Sequence, residues 1–331
     1  MKTFNKIVQL AVDHYKGRIT QFSKDESEQT LRAALNSILD LESHKNFRRA
    51  MQANGRALFN VMEDVLDVLI VEGLENQFDQ FVESKTVKIG DRPAFMVEDY
   101  HLFNVASIAA GTNNIRRQKL DRSALYIDTA YKGIKIYAEL EEYLAGKVDF
   151  AKMISKLQRS MNAQLASDIS AAIVTGYTTL AAPYTFTGAF SLAQFNLSIQ
   201  HVEAATGVKA MVLGTRTALQ KVAPANIAYN GQVIEERNQL GFYSLIDGTT
   251  LFEIKQSHIP GTDTFAITDY LLIVPQGEEK IVKVLLEGDA IIEDNSSGEN
   301  RNADQSIEFS LEKKYGVGVI TSTKYGVMLF S

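Results

Sequence analysis

The chain has 331 residues, of which 45% are hydrophobic, and it carries a formal net charge of −6. It contains no cysteine, which excludes disulfide bonds and thiolate metal sites. The acidic balance argues against a general nucleic-acid-binding protein, and no apolar run has the length of a membrane span. Asp13, His14 and Lys16 interrupt the N-terminal apolar stretch too early for a signal peptide, so we expect a soluble protein made in a cytoplasm.

Residues 1–84 are predicted to be helical. Acidic residues follow Ser23, and apolar residues recur at helical spacing from Leu31 to Ile38 and again over residues 58–70. Two interpretations are open: the helices cover the protein's own core, or they form an arm that packs on neighbouring subunits. We favour the arm, because the segment precedes the main fold and carries a large apolar surface.

Residues 85–130 change to a strand-like pattern, which predicts an extended β-ribbon. Phe103 and Val105 alternate with polar residues, and Leu125 and Ile127 do so again after a turn. A two-stranded ribbon cannot bury both of its faces by itself. The ribbon therefore either packs on this chain's own core or reaches to a neighbouring subunit.

Four positive charges lie within seven residues of this ribbon, at Arg116, Arg117, Lys119 and Arg122, and we call them the basic cluster. Three interpretations are open: a solvated loop, a nucleic-acid contact, or pairing with carboxylates of another subunit. The acidic chain and the few nearby aromatic residues disfavour the nucleic-acid contact.

Residues 149–175 are predicted to form one continuous helix. Asp149 is a suitable N-cap, and Gly176 is a natural C-terminal stop. The apolar stripe on this helix consists of Phe150, Met153, Ile154, Leu157, Met161, Leu165, Ile169, Ala172 and Ile173. A helix of this length is roughly 40 Å long and needs a large surface to lie on. We expect that surface to be a sheet built largely from residues 265–331.

The remaining segments complete an α+β architecture. Residues 181–262 are typical of a compact α/β insert, with a helix after Ser191 and a hairpin turn at Asp247 and Gly248. Residues 263–331 are mostly strand, interrupted by a polar loop between Asn295 and Asp304.

No pattern in the sequence indicates catalysis. The histidines, which we interpret as structural or surface residues, are separated along the chain, at His14, His44, His101, His201 and His258. There is no phosphate-binding loop, dinucleotide fingerprint, nucleophile elbow or zinc-protease motif. Gly214, Thr215 and Arg216 follow a strand and could bind an anion, but an ordinary strand-to-helix turn is the better interpretation. We therefore predict no catalytic residue, cofactor site or metal site.

The order of these segments resembles the major capsid protein of tailed phages, which has the Hong Kong 97-type fold. The best matches are residues 131–176, where a strand leads into a long helix closed by glycine, then VKAMVLGTRTALQKV and the closing LEKKYGVGVITSTKYGVMLF. The resemblance covers roughly residues 85–331 and rests on segment order more than on any single motif. The helical N-terminus departs from the family pattern, which leaves processing of that segment open.

The resemblance implies a Hong Kong 97-like capsid fold with a long spine helix, an extended loop, and peripheral and apical domains. The helical N-terminal arm would be residues 1–84 and the extended loop residues 85–130. The apical domain would be residues 181–262, and the peripheral domain would combine residues 131–180 with residues 263–331.

The resemblance also implies the function of a capsid protein in a virion. Identical subunits would form hexamers and pentamers and then an icosahedral shell around double-stranded DNA, assembled in the host cytoplasm. Its partners would be itself, the portal, packaged DNA, and scaffolding or decoration proteins, and it would contact no membrane. An encapsulin-like nanocompartment shell is the first alternative, and a soluble metabolic enzyme is the second.

Two expectations concern contacts between subunits. The ribbon should supply intersubunit contacts through an apolar set and the basic cluster, that is, through Phe103, Val105, Leu125, Ile127, Arg116, Arg117, Lys119 and Arg122. Some members of the family join a lysine of this loop covalently to an asparagine of a neighbour. Here Lys119 would be the lysine, and Asn295, Asn300 and Asn302 are the candidate partners. We expect no such cross-link, because the sequence shows no buried carboxylate to promote it.

Overall fold

The structure is a computed structural model. It describes residues 2–15, 24–40, 47–98, 102–111, 115–119, 122–138, 150–180, 182–222, 231–277, 279–294, 307–320 and 325–330. The helices are α1 (Lys2–Tyr15), α2 (Lys24–Leu39), α3 (Phe47–Phe78), α4 (Phe150–Tyr177), α5 (Leu192–Thr206), α6 (Arg216–Lys221) and α7 (Gly231–Leu240). The first strands are β1 (Val82–Val87), β2 (Phe95–Glu98), β3 (Arg122–Leu125), β4 (Ala130–Ala138), β5 (Thr185–Thr187) and β6 (Ala210–Gly214). The later strands are β7 (Leu245–Ile246), β8 (Thr249–Glu253), β9 (Tyr270–Pro275), β10 (Val282–Asp294), β11 (Ile307–Val319) and β12 (Gly326–Leu329). Within these ranges we find no helix with both the length and the hydropathy of a membrane span.

Helix α4 is the spine of the molecule, and the prediction of one continuous helix is confirmed. It runs without a break past Met161 and ends at Tyr177, one residue beyond Gly176. Its apolar stripe is buried in the main core, through Ile154, Leu157, Met161, Leu165, Ile169 and Ile173. The helix packs against α3 on one side and against β11 on the other. The predicted N-cap, Asp149, lies outside the described residues.

The sheet under the spine has the strand order β1-β10-β11-β4. Strands β10 and β11 are antiparallel neighbours at its centre, and both come from the predicted C-terminal region. Alternate residues of β10, at Val282, Val284 and Leu286, face the main core, as expected for side chains with a period of two. The helix therefore lies on a sheet whose central strands come from residues 265–331, as predicted.

The long helix α3 shares this core, so the favoured interpretation of residues 1–84 as an arm is wrong for α3. Its apolar residues are buried against the spine and against β10, with Phe59, Met62 and Leu66 fully enclosed. Helices α1 and α2 in turn pack on α3. A broad apolar stripe shows that a helix face must be covered, but it does not show which chain covers it.

Helix α3 also stabilises an irregularity in the sheet. The register of β10 against β11 shifts between Glu287 and Ile291, which is a β-bulge. The carboxylate of Asp67 accepts hydrogen bonds from the Ala290 amide at 2.8 and 2.9 Å, and Glu63 accepts one from the Ile292 amide at 2.8 Å. Two acidic residues one helical turn apart therefore hold backbone amides at the bulge.

The second sheet has the order β5-β12-β9-β6-β8-β7 and is buried on both faces. Met211 and Leu213 face the main core, whereas Val212 faces a second core formed with α5 and α6. Strands β9 and β12 belong to this sheet. The predicted boundary, which assigned all of residues 263–331 to the peripheral domain, is therefore wrong for these two strands.

The connections of this second region follow the sequence signals. Helix α5 starts after Ser191, whose side chain makes no capping hydrogen bond, and ends before Gly207, which has a left-handed backbone. Asp247 and Gly248 both have positive φ angles between β7 and β8, as the predicted two-residue hairpin turn requires. These local signals are confirmed.

Candidate assembly surface

The ribbon divides into a root that is paired as a small sheet and a tip that is not. At the root, β2 pairs antiparallel with β3, with Phe95 opposite Leu125. The described tip residues, 102–111 and 115–119, have no regular strand structure. Gln118 nevertheless joins the two sides, because its side chain accepts a hydrogen bond from the Asn104 amide at 2.7 Å and donates one to the Asn104 carbonyl at 2.8 Å.

The root packs on its own chain. Phe95 and Ile127 are buried with Leu285 of β10, and Leu125 packs against this group. The prediction that Ile127 faces a neighbouring subunit is therefore wrong, since Ile127 is covered by the protein's own sheet. Leu125 is half-buried at the same place and is mainly part of this root.

Two glycines of β11 make room for the root. A Cβ atom on Gly316 would overlap the Asp128 carbonyl group and the Ile127 side chain, and one on Gly318 would lie 3.0 Å from Ile127 Cγ1. These glycines belong to the YGVGV stretch that sequence analysis associated only with closing strands. Their spacing of two residues, on one face of a strand, was the signal that another chain segment crosses there.

A buried carboxylate of β10 fastens the two segments that flank the root. Glu287 accepts hydrogen bonds from the Gly90 amide at 2.8 Å, from the Thr129 hydroxyl, and from Lys314 Nζ at 2.7 Å. The Lys314 ammonium, the Thr129 hydroxyl and the Gly90 amide together lower the pKa of Glu287 to about 2. Sequence analysis missed this residue, because its partners lie far apart in the chain.

The tip exposes apolar side chains that this chain does not cover. Phe103 is 54% exposed and Val105 is 98% exposed. Leu102, Ile108 and Ile115 are also exposed large apolar residues. The predicted contacts of Phe103 and Val105 with another subunit stay a prediction, but their exposure in a single chain is compatible with it.

The structure brings three members of the basic cluster into the tip. Arg116, Arg117 and Lys119 are exposed, and neither arginine has an ion pair or hydrogen bond with another described residue. Arg122 instead opens β3, where its backbone pairs with Glu98, and its side chain lies outside the described part.

The outer face of the four-stranded sheet carries an acidic side chain, Glu312, that could pair with these charges. Glu312 of β11 lies between Gly133 of the edge strand β4 and Ile291 of β10. Because Gly133 has no side chain, it leaves a gap at the sheet edge beside Glu312, with the exposed Tyr131 two residues along the strand. Glu312 is half-buried and has no ion pair or hydrogen bond with another residue that the structure describes.

The other candidate sites have ordinary structural roles. Thr215 caps α6 by accepting from the Ala218 amide at 3.3 Å and donates to Asp269 at 2.6 Å, which confirms the strand-to-helix turn. His258 stacks near Phe265, and His201 lies near Tyr184. His44 and His101 lie outside the described residues, as do Asn295, Asn300 and Asn302. Among the residues that are described, no three histidine or acidic side chains form a group that could hold a metal ion.

A family model matches residues 6–329, and the family is described as "SPbeta prophage-derived putative capsid protein YonB". No curated protein matches the chain in sequence.

Solved structures share the fold at low sequence identity. The mature capsid of bacteriophage PhiM1 aligns with a TM-score of 0.53 and 9% identity, over 77% of this chain and 86% of that chain. The structure from Mycobacterium phage Bobi aligns with a TM-score of 0.50 and 11% identity, over 80% of this chain and 90% of that chain. A virus-like particle from Pyrococcus furiosus aligns with a TM-score of 0.44 and 12% identity, over 80% of this chain and 97% of that chain.

These alignments concern the fold alone, and they confirm the predicted Hong Kong 97-type architecture. The family match is independent of them and spans nearly every residue from α1 to β12. The chain belongs to this family of prophage-derived capsid proteins.

Proposed function

We propose that this chain is the major capsid protein of a tailed phage, and that it assembles into hexamers and pentamers of an icosahedral head around double-stranded DNA. One observation carries the proposal beyond family membership. The ribbon has a root fixed to its own sheet by buried contacts and a tip whose apolar side chains remain uncovered. A rigidly mounted apolar extension is suited to contact a second copy of the chain.

The geometry of the extension favours a head-to-tail contact over a symmetric one. We infer that the tip of each subunit contacts the sheet of one neighbour while its own sheet receives the tip of a different neighbour, so the contact is heterologous. Repeated heterologous contacts close into rings, as hexamers and pentamers require. The predicted intersubunit roles of Phe103, Val105, Arg116, Arg117 and Lys119 are part of this proposal.

We place the acceptor for the basic cluster on the outer face of the sheet, at Glu312. The gap at Gly133 gives an arginine from outside a route over the sheet edge. The exposed Tyr131 ring flanks this route, and the Lys314 ammonium already lies 5.5 Å from its centroid, so an incoming guanidinium would have to use the other face of the ring. Exposed ion pairs contribute only about 0–1 kcal/mol each, so the apolar tip supplies the affinity and the charges select the register.

The remaining partners follow from this role. A head of this kind needs a portal through which DNA enters, and scaffolding or decoration proteins are further candidate partners. The packaged DNA contacts the wall without sequence specificity. The protein resides in the virion, and assembly takes place in the host cytoplasm.

A combination of particle size and nucleic-acid content tests the proposal. The full chain should elute in gel filtration as capsomers or particles, and negative staining should show shells. A small, discrete oligomer would instead favour the metabolic enzyme. Particles purified from the producing cells and treated with nuclease should keep DNA, as read by their absorbance ratio. Protein-filled particles without DNA would favour the encapsulin-like shell.

A further inference from the structure

A polar cleft lies between the end of α3, the middle of α4 and the segment 253–260. Its volume is about 680 Å³. The walls contribute Lys156 and Arg159 from the spine helix, Lys255 and His258 from the segment opposite, and the polar groups of Asn162 and Ser257. None of these residues belongs to the ribbon or to its proposed acceptor.

The cleft gathers positive charge that no described residue neutralises. Lys156, Arg159 and Lys255 form no ion pair with any other described residue. The one acidic residue in the lining, Glu253, is already held by the Arg216 guanidinium through two hydrogen bonds of 3.1 and 3.2 Å. Lys156 and Arg159 lie three residues apart on one helix, a spacing at which like charges destabilise each other. In a chain of net charge −6, this local concentration is an exception.

The same cleft contains buried polar atoms without partners. In the described part of the chain, four buried side-chain oxygen atoms have no hydrogen bond, and two of them, Asn162 Oδ1 and Ser257 Oγ, belong to residues that line the cleft. A buried polar group without a partner costs about 1–3 kcal/mol, so such groups are expected to have one. Both atoms have almost no exposed surface, so they mark an under-satisfied polar wall behind the cationic side chains.

The wall that carries these groups is held in place. Gln77 donates a hydrogen bond to the Lys255 carbonyl at 2.8 Å. Gln256 donates to the Ile267 carbonyl at 2.7 Å, and its oxygen accepts from the Ile267 amide at 3.0 Å and from the Ser257 amide at 3.2 Å. The position of Ser257 opposite the spine helix is therefore fixed by backbone contacts and does not depend on a ligand.

We propose that this cleft binds a phosphate group, either of a nucleic-acid backbone or of a free phosphate compound. Three cationic side chains approach from two walls, which suits a tetrahedral anion with several acceptor oxygens. A planar carboxylate, by contrast, is satisfied by a single guanidinium group. The volume exceeds that of one phosphate and leaves room for the sugars on either side. The site does not depend on how the shell assembles, so it can be tested on the unassembled chain.

To test this, fluorescence anisotropy measures how tightly the purified full chain binds a fluorescein-labelled 12-nucleotide single-stranded DNA. The measurement is repeated across a series of salt concentrations. The triple variant K156Q/R159Q/K255Q should lose at least about tenfold in affinity and show a shallower dependence on salt. The control K6Q/K88Q/K209Q removes the same charge from exposed positions outside the cleft and should bind within about twofold of the parent. Circular dichroism checks that each variant is folded.

Two further measurements complete the test. Ser257→Ala removes only a buried hydroxyl and keeps every charge, so it should bind DNA within about twofold of the parent with the same salt dependence. Inorganic phosphate at constant ionic strength should displace the DNA if free phosphate is the ligand, and should not if the backbone is. Equal loss in the two triple variants, no binding by the parent at low salt, or binding of polyglutamate in place of DNA would each overturn the proposal.

Discussion

Lys313 Nζ lies 2.6 Å from Asp67 Oδ1, and this pair connects the middle of the sheet to α3. Only 2% of the Lys313 side chain is exposed, and its ammonium group also donates to the Gly288 carbonyl at 2.8 Å, at the bulge. Burial raises the pKa of Asp67, while Lys313 and the Ala290 amide oppose that rise. The two residues therefore satisfy each other in a place where neither charge could remain alone.

We predict that Lys313→Met destabilises the chain by about 3–5 kcal/mol, since it leaves the Asp67 carboxylate buried without its cation. Asp67→Asn in the same background should recover part of the loss, because the amide oxygen still accepts from Ala290. Urea unfolding of the unassembled subunit, carried out as a double-mutant cycle, measures the coupling. Strictly additive losses would show that the pair acts as two independent residues.

The Glu287 anchor predicts a specific dependence on pH. Its pKa in the folded chain is about 2, below the ordinary value of 4.5, so its contribution is fully present above pH 4.5. The contribution is lost as the pH falls from 4.5 towards 2, because the unfolded chain takes up the proton first. Limited proteolysis of the ribbon should therefore accelerate over that range. Glu287→Gln should flatten the profile, and an unchanged profile would contradict the assigned role.

The two glycines of β11 should differ in their tolerance of a methyl group. Gly316→Ala collides with backbone atoms at Asp128 and should destabilise the chain by about 1–3 kcal/mol. Gly318→Ala meets only side-chain atoms, of Ile127 at 3.0 Å and of Leu125 at 3.5 Å, which can shift, so its cost should be smaller. Chemical denaturation ranks the two variants, and the reverse order would refute the packing of the root on this strand.

The proposed ion pairs between subunits can be tested by exchanging charges. Arg116→Glu with Arg117→Glu should leave the subunit folded but impair assembly, and Glu312→Arg alone should do the same. Combining all three should restore shells, as scored by sedimentation and negative staining at physiological salt. Lys6→Glu with Lys209→Glu matches the charge change elsewhere and should assemble normally. If the double arginine variant also assembles normally, the basic cluster is only a solvated loop. If the arginine variant and the Glu312 variant each impair assembly but the combined variant does not restore it, Glu312 is not the acceptor.

The spine helix should not tolerate a charge in its stripe. Leu157 is 1% exposed in the main core, so Leu157→Asp should cost several kcal/mol by burying an unpaired carboxylate. Ala171→Asp places the same group on the exposed face of the same helix and should cost far less. The difference between their urea midpoints reports the cost of burying the carboxylate, because both variants place aspartate in the same helix.

The sequence predicted those features that depend on neighbours along the chain. The stripe from Ile154 to Ile173 has a single helical solution, and Asp247 with Gly248 has a single common turn. The sequence does not show which chain segment covers an apolar face. For that reason α3 was interpreted as an arm and Ile127 as an intersubunit contact. Both questions concern segments far apart in sequence. The Glu287 anchor was equally hidden, because its partners come from residues 90, 129 and 314.

Strand β12 lies between β5 and β9, so the six-stranded sheet cannot close without residues 326–329. A ribosome must therefore translate almost the whole matched region, and release those residues from its exit tunnel, before the second core is complete. Until then the nascent chain exposes the strand edges that β12 will cover. A subunit still attached to its ribosome therefore lacks the finished six-stranded sheet.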